Sequence, residues 1–217
     1  MSKHPEKKIS VLIVDDHPPL RAGVSAMLEK TPDIYVIGEA GSGEEAERLL
    51  DELRPNIILL DLKMPNFSPS AFEKWAREKY PETVTLVLTA HDRDAYLASM
   101  MEAGAVGFLD KEARAEQLIE SIRRAASGES LYDEWQKKRA RKWRDEVEKK
   151  WNSLSERERQ VLRLLAEGLN NKDIALRLGI TIKTLDKHFE KIYQKLEVTS
   201  RTDAALWGKE HVGDFPY

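Results

Sequence analysis

Five short apolar runs, each followed by a helical pattern, constrain the fold of this 217-residue chain more than any other feature. Strand candidates lie near 9–14, 34–38, 56–60, 84–88 and 105–109, and helical patterns near 18–30, 43–53, 69–79, 92–103 and 112–127. Runs such as Val11-Leu12-Ile13-Val14 and Ile57-Ile58-Leu59-Leu60 hold no polar residue at all. Strands that are apolar on both faces belong to parallel sheets covered by helices on both sides. Five βα units therefore predict an α/β doubly wound five-stranded parallel sheet with right-handed crossovers. Gly41, Gly43, Pro55, Pro65, Pro81, Gly104 and Gly128 punctuate the connections.

Open α/β sheets build ligand sites at the carboxyl ends of their strands. The first run here delivers Asp15-Asp16, the third Asp61, the fourth Thr89, and the fifth is followed by Asp110-Lys111. Three carboxylates crowded at one edge must bind protons or a hard cation. Asp15, Asp16, Asp61, Thr89 and Lys111, in that order on those strands, resemble the flavodoxin-like receiver domain of two-component response regulators. The resemblance covers residues 1–127 and implies a role for each position. Asp61 is the phosphoacceptor, and Mg²⁺ is held by Asp15, Asp16, Asp61 and the backbone carbonyl of Lys63. Thr89 and Lys111 stabilise the phosphoryl group, and Phe108, three positions before the lysine, is the switch aromatic. One departure stands out: after Met64-Pro65 the family commonly carries a glycine, whereas this chain reads Asn66-Phe67-Ser68-Pro69. The loop is expected to be stiffer or differently shaped. His17 and His91 lie near the site, but imidazole is a poor Mg²⁺ ligand, and both are expected to face solvent or pack in loops.

Residues 128–152 change character. Glu134 to Lys150 holds no Gly or Pro and is dense in Lys, Arg and Glu, which predicts a charged helical linker. Trp135, Trp143 and Trp151 recur every eight residues along it, with Leu131 four residues before the first and Val147 midway between the last two. They are read either as packing on the nearest domain or as a short helix-pairing seam that supports a dimer.

Residues 153–217 carry only helical patterns. Ser153 and Ser155 are cap candidates, with Glu158 completing a capping box after Ser155. Asn170 or Asn171 can cap a second helix, Gly179 makes a tight turn, and Thr181 caps a third helix that runs to about Leu196. Helix, glycine turn and helix predict a small all-α helix-turn-helix domain. The stretch LSERERQVLRLLAEGLNNKDIALRLGITIKTLDKHFEKIYQKLEVTSRTDAALW is similar to the LuxR-type DNA-binding domain. Receiver plus that domain is the architecture of the NarL/FixJ family. The third helix would then enter the major groove of double-stranded DNA. Lys183, Lys187, Lys191 and Lys195 recur every four residues, suiting phosphates, and Thr184 can reach a phosphate or a base edge. Ile182, Leu185, Phe189, Ile192 and Leu196 are expected in the core. The family's base-reading positions fall on Asp186, Lys187 and Glu190. Two acids there either weaken binding to a polyanion or accept from a cytosine amino group as specificity elements.

Charge divides as the two domains would require. Residues 1–126 hold 16 basic and 22 acidic residues, a net of −6, and residues 127–217 hold 19 and 16, a net of +3. No cysteine is present, which excludes disulfides and thiolate metal sites. No apolar stretch reaches membrane-spanning length, and the first residues lack a signal-peptide core. A cytoplasmic protein is expected. The resemblance implies a sensor histidine kinase and double-stranded DNA as partners, a homodimer when phosphorylated, and no catalysis beyond Mg-dependent gain and loss of phosphate at Asp61. Two other readings stay open: a receiver that acts through protein–protein contacts with weak or no DNA binding, and a Mg²⁺ phosphohydrolase of similar sheet topology.

Overall fold

A computed structural model describes residues 8–90 and 93–212, so His91 lies outside the described residues. The chain divides into two compact units, one ending at Arg141 and the other beginning at Lys142.

The first unit alternates β1 (Ile9–Val14), α1 (Pro18–Leu28), β2 (Ile34–Ala40), α2 (Gly43–Leu53), β3 (Ile57–Leu60), α3 (Pro69–Lys79), β4 (Val84–Thr89), α4 (Asp94–Ala103), β5 (Gly107–Asp110) and α5 (Ala115–Ala126). All five strands are parallel, in the order β2-β1-β3-β4-β5. The order reverses between β1 and β3, so their carboxyl ends open the crevice where such sheets bind ligands. Val11, Ile13, Ile57, Leu59 and Leu86 pack on Val24, Leu28, Leu118 and Ile122 of the flanking helices. β1 and β2 fall out of register between Val11 and Leu12, and Ile37 is the extra residue on β2.

Several boundaries moved for local reasons. β5 starts at Gly107 and not at 105, because the α4 C-cap uses the residues before it. Gly104 takes φ 112°, and the N–H groups of Gly104 and Ala105 both donate to the Met100 carbonyl. α5 starts at Ala115 because residues 111–114 form a turn on Asp110, whose Oδ1 accepts the Glu112 N–H at 2.8 Å. The altered loop after Pro65 keeps a left-handed residue: Asn66 sits at φ 54°, a conformation asparagine tolerates better than any branched residue. We expect Asn66→Gly to leave stability nearly unchanged and Asn66→Val to cost about 1–2 kcal/mol. Paired urea titrations would measure both.

α6 (Glu134–Ser153) is the predicted charged helix, and its residues are shared between the two units. The tryptophans do not form one seam, because eight residues advance a helix by two turns plus roughly 80°. Trp135 is 61% exposed under the Arg139 guanidinium, while Trp143 meets His211 edge-on. Trp151 is buried and stacked on Trp207 at 6.5 Å. Leu131 precedes the helix and extends the sheet edge, its N–H donating to the Val106 carbonyl at 2.7 Å.

The second unit adds α7 (Glu156–Ala166), α8 (Asn171–Leu178), α9 (Ile182–Leu196) and α10 (Arg201–His211). Ser155 and Glu158 form the capping box, Asn170 caps α8, Thr181 caps α9, and Gly179 makes the turn at φ 63°. Val161, Leu162, Leu165, Ile174, Leu185, Phe189, Ile192 and Leu196 form the core.

Candidate functional site

Asp15 and Asp61 leave adjacent strands side by side. The Asp61 N–H donates to the Val14 carbonyl at 2.8 Å, and the Asp15 N–H to the Ala40 carbonyl at 3.0 Å. Both carboxylates are buried, 2% and 5% exposed, while Asp16 beside them is exposed. One oxygen from each of the three carboxylates lies within 4.8 Å of the others, a cluster that can hold a metal ion. An all-carboxylate donor set suits a hard, oxygen-seeking cation and not a thiophilic one.

Lys111 reaches the same point from the far side. Its N–H donates to the Thr89 carbonyl at 3.1 Å, tying the turn after β5 to the end of β4. Its Nζ stands 2.6 Å from Asp15 Oδ2 and 3.0 Å from Asp61 Oδ2. Burial disfavours the ammonium, but the hydrogen bonds to Asp15 and Asp61 outweigh that and hold its pKa above the ordinary lysine value. Counted formally, three carboxylates against one ammonium leave two negative charges, the number a divalent cation would balance.

Thr89 ends β4 fully buried, in register with Asp110. Phe108 is buried on β5, 8% exposed, beside Val87 of β4, and it lines a groove of about 700 Å³ along α5. Lys63 is exposed two residues past Asp61. His17 is exposed, and its backbone N–H fixes Asp15 by donating to Oδ1 at 2.8 Å. Arg21, half-buried on α1, had no distinguishing mark in the sequence, yet it donates to the Asp15 carbonyl at 2.6 Å.

On the second unit, Lys183, Thr184, Asp186, Lys187, Glu190 and Lys191 all lie exposed on α9. Thr184 also shares a hydroxyl contact with the capping Thr181 at 2.9 Å. Lys195 departs from the stripe: it is partly buried, and its Nζ pairs with Glu158 Oε2 at 2.7 Å inside the domain. Steps of four residues drift by 40°, so the fourth lysine has turned some 120° towards the core. The pairing holds Glu158 below the usual carboxylate range against its burial, with the Ser155 backbone assisting. Ile182, expected in the core, is 46% exposed at the first position of α9, outside the buried set Leu185, Phe189, Ile192 and Leu196.

A doubly wound sheet with an acidic, lysine-bridged edge, followed by a helix-turn-helix unit, defines a class: a receiver joined to a DNA-binding domain. Residues 11–123 match the response regulator receiver domain, and residues 152–207 match the bacterial regulatory proteins of the luxR family. The chain is 35% identical to the nitrate/nitrite response regulator NarL of Escherichia coli K12 over 206 residues, 93% of this chain and 95% of NarL. It is 39% identical to the transcriptional regulatory protein LiaR of Bacillus subtilis over 202 residues, 92% of this chain and 96% of LiaR. The crystal structure of response regulator ChrA from a heme-sensing two-component system aligns over 95% of this chain and 98% of ChrA, at 30% identity and a TM-score of 0.54. The chain belongs to the NarL/FixJ family of response regulators, transcription regulators with a receiver and a LuxR-type DNA-binding domain.

Proposed function

We propose that Asp61 is the phosphoacceptor and that its phosphorylation by a sensor histidine kinase controls DNA binding by the second unit. The observation that carries this reading is the Lys111 ammonium in contact with both Asp15 and Asp61, with Asp16 within reach of the same point. In the transfer, an Asp61 oxygen bonds to phosphorus as the N–P bond of the donor phosphohistidine breaks, and the freed imidazole takes its proton from solvent. Asp15, Asp16, Asp61 and the Lys63 carbonyl would hold Mg²⁺, which when bound supplies the charge balance that two anions need to meet. Lys111 then exchanges its carboxylate contact for a phosphoryl oxygen, carrying a compact positive charge to it. Thr89 donates a hydroxyl to the same group, and Phe108 follows behind it as the switch residue. This is self-directed group transfer and return, with no turnover of an external substrate.

Lys183, Lys187 and Lys191 face phosphates, and Thr184, Asp186 and Glu190 face the groove. The phosphorylated chain acts as a homodimer in the cytoplasm, and among the described residues no helix is long and apolar enough to cross a membrane. Fluorescence anisotropy on promoter duplexes with and without beryllofluoride tests the coupling, and tighter binding with the mimic is expected. Lys191→Ala should weaken binding on all duplexes alike and reduce the salt slope by about 0.9.

Asp186 and Glu190, both exposed on the lysine-bearing helix, favour one second reading: output through protein contacts. A Kd weaker than about 10⁻⁴ M on random duplex at low salt, unchanged by beryllofluoride, selects that reading.

A further inference from the structure

We propose that Arg21 is a positioning residue for the cation site: it holds the Asp15–Asp16 turn in the orientation that lets both carboxylates face one ion. The proposal rests on the reading of Asp15, Asp16 and Asp61 as Mg²⁺ ligands.

The turn after β1 carries two ligands that are secured very differently. The Asp15 side chain is held at both oxygens, by the His17 N–H at 2.8 Å and by Lys111 Nζ at 2.6 Å. Asp16 is exposed, and its N and Cα, from which the side chain departs, lie in the peptide plane that joins it to Asp15. That plane is fixed by the Asp15 carbonyl, and Arg21 Nη1 donates to it at 2.6 Å. The guanidinium is itself anchored. Its Nε is buried 3.4 Å from Glu39 Oε2 near the end of β2, as an ion pair and not as an aligned hydrogen bond. Gly41 lies alongside it, where a Cβ would meet Nη1 at 3.4 Å, an ordinary van der Waals contact. The side chain is 18% exposed, far more confined than a surface arginine. One residue thus links α1, the tip of β2 and the ligand-bearing turn, the arrangement by which outer groups aim metal ligands.

A merely electrostatic role predicts the opposite sign. A cation beside a cation site repels Mg²⁺, so removing its charge would tighten binding. Loss of positioning weakens it.

The test is calorimetric titration of the unphosphorylated full chain with MgCl₂, with thermal melts run alongside. Arg21→Met is expected to weaken Mg²⁺ binding about tenfold. Arg21→Lys, which can still donate to the carbonyl, should recover part of that. Glu39→Gln, which frees only the far end of the guanidinium, should cause a smaller loss. Arg21→Met that binds Mg²⁺ as tightly as wild type, or more tightly, overturns the proposal. Should that variant fail to fold, wild-type affinity in both Arg21→Lys and Glu39→Gln overturns it equally. A different result marks failure of the underlying reading: a wild-type chain that binds no Mg²⁺, or affinity unaltered in Asp16→Asn and Asp61→Asn.

Discussion

Asp61→Asn is expected to take up no phosphoryl group from acetyl phosphate under conditions that label the wild-type chain. The amide has the volume of the carboxylate but no anionic oxygen to attack phosphorus. The fold should survive, because the substitution removes one of three crowded negative charges and leaves the 2.6 Å Lys111–Asp15 pair in place. Intact-mass spectrometry after incubation reads the loss, and circular dichroism reads the fold. Labelling of the variant at the wild-type rate would place the acceptor elsewhere. Asp16→Asn, with the nucleophile intact, should slow labelling without abolishing it, which separates cation binding from bond formation.

Glu73→Gln is expected to raise stability at pH 8 by about 3 kcal/mol while changing little at pH 5. Glu73 lies on α3 and is 2% exposed, with Oε2 buried and without a hydrogen-bond partner among the described residues. Burial pushes its pKa up to about 7, against the opposing pull of a hydrogen bond with Thr85 on β4 and the charge of Arg77. In the unfolded chain the group ionises near 4.5. The folded state therefore holds its proton more tightly. That stabilisation is fully present below pH 4.5 and is lost as pH rises through 7, beyond which a buried charge must be carried. Glutamine keeps a polar partner for Thr85 and cannot ionise. Urea unfolding of both chains at pH 5 and pH 8 measures the difference, and parallel pH profiles would refute the buried-charge account.

The sheet and its acidic edge were legible because they follow from alternation. Apolar runs bounded by turn residues mark strands, and the residue that ends each run must lie at the carboxyl edge. That places Asp15, Asp61 and Thr89 at one edge, whereas Lys111, one residue past the end of β5, was singled out only by the resemblance to the receiver family. Lys195 was misread because a four-residue repeat looks like a face over two turns but rotates away over four, and only the position of Glu158 shows where it points. Trp135, Trp143 and Trp151 failed as a seam for the same reason, with twice the drift per step. Arg21, Glu73 and Tyr132 carried no periodic mark at all. Their roles come from partners far along the chain, such as Glu39 for Arg21 and Thr85 for Glu73. Tyr132, 6% exposed, has its hydroxyl buried near that carboxyl, and burial pushes its pKa up.

The extra residue at Ile37 reaches further than its place on an edge strand suggests. Side chains on a strand alternate between faces, so an insertion or deletion upstream reverses every face that follows. Glu39 meets Arg21 only because the count from Ile34 includes that one unpaired position. A homologue lacking it would have to find another counter-charge for its arginine, or dispense with the arginine altogether. The aim of the acidic pocket is thus written partly in the arithmetic of a strand that contributes no ligand to it.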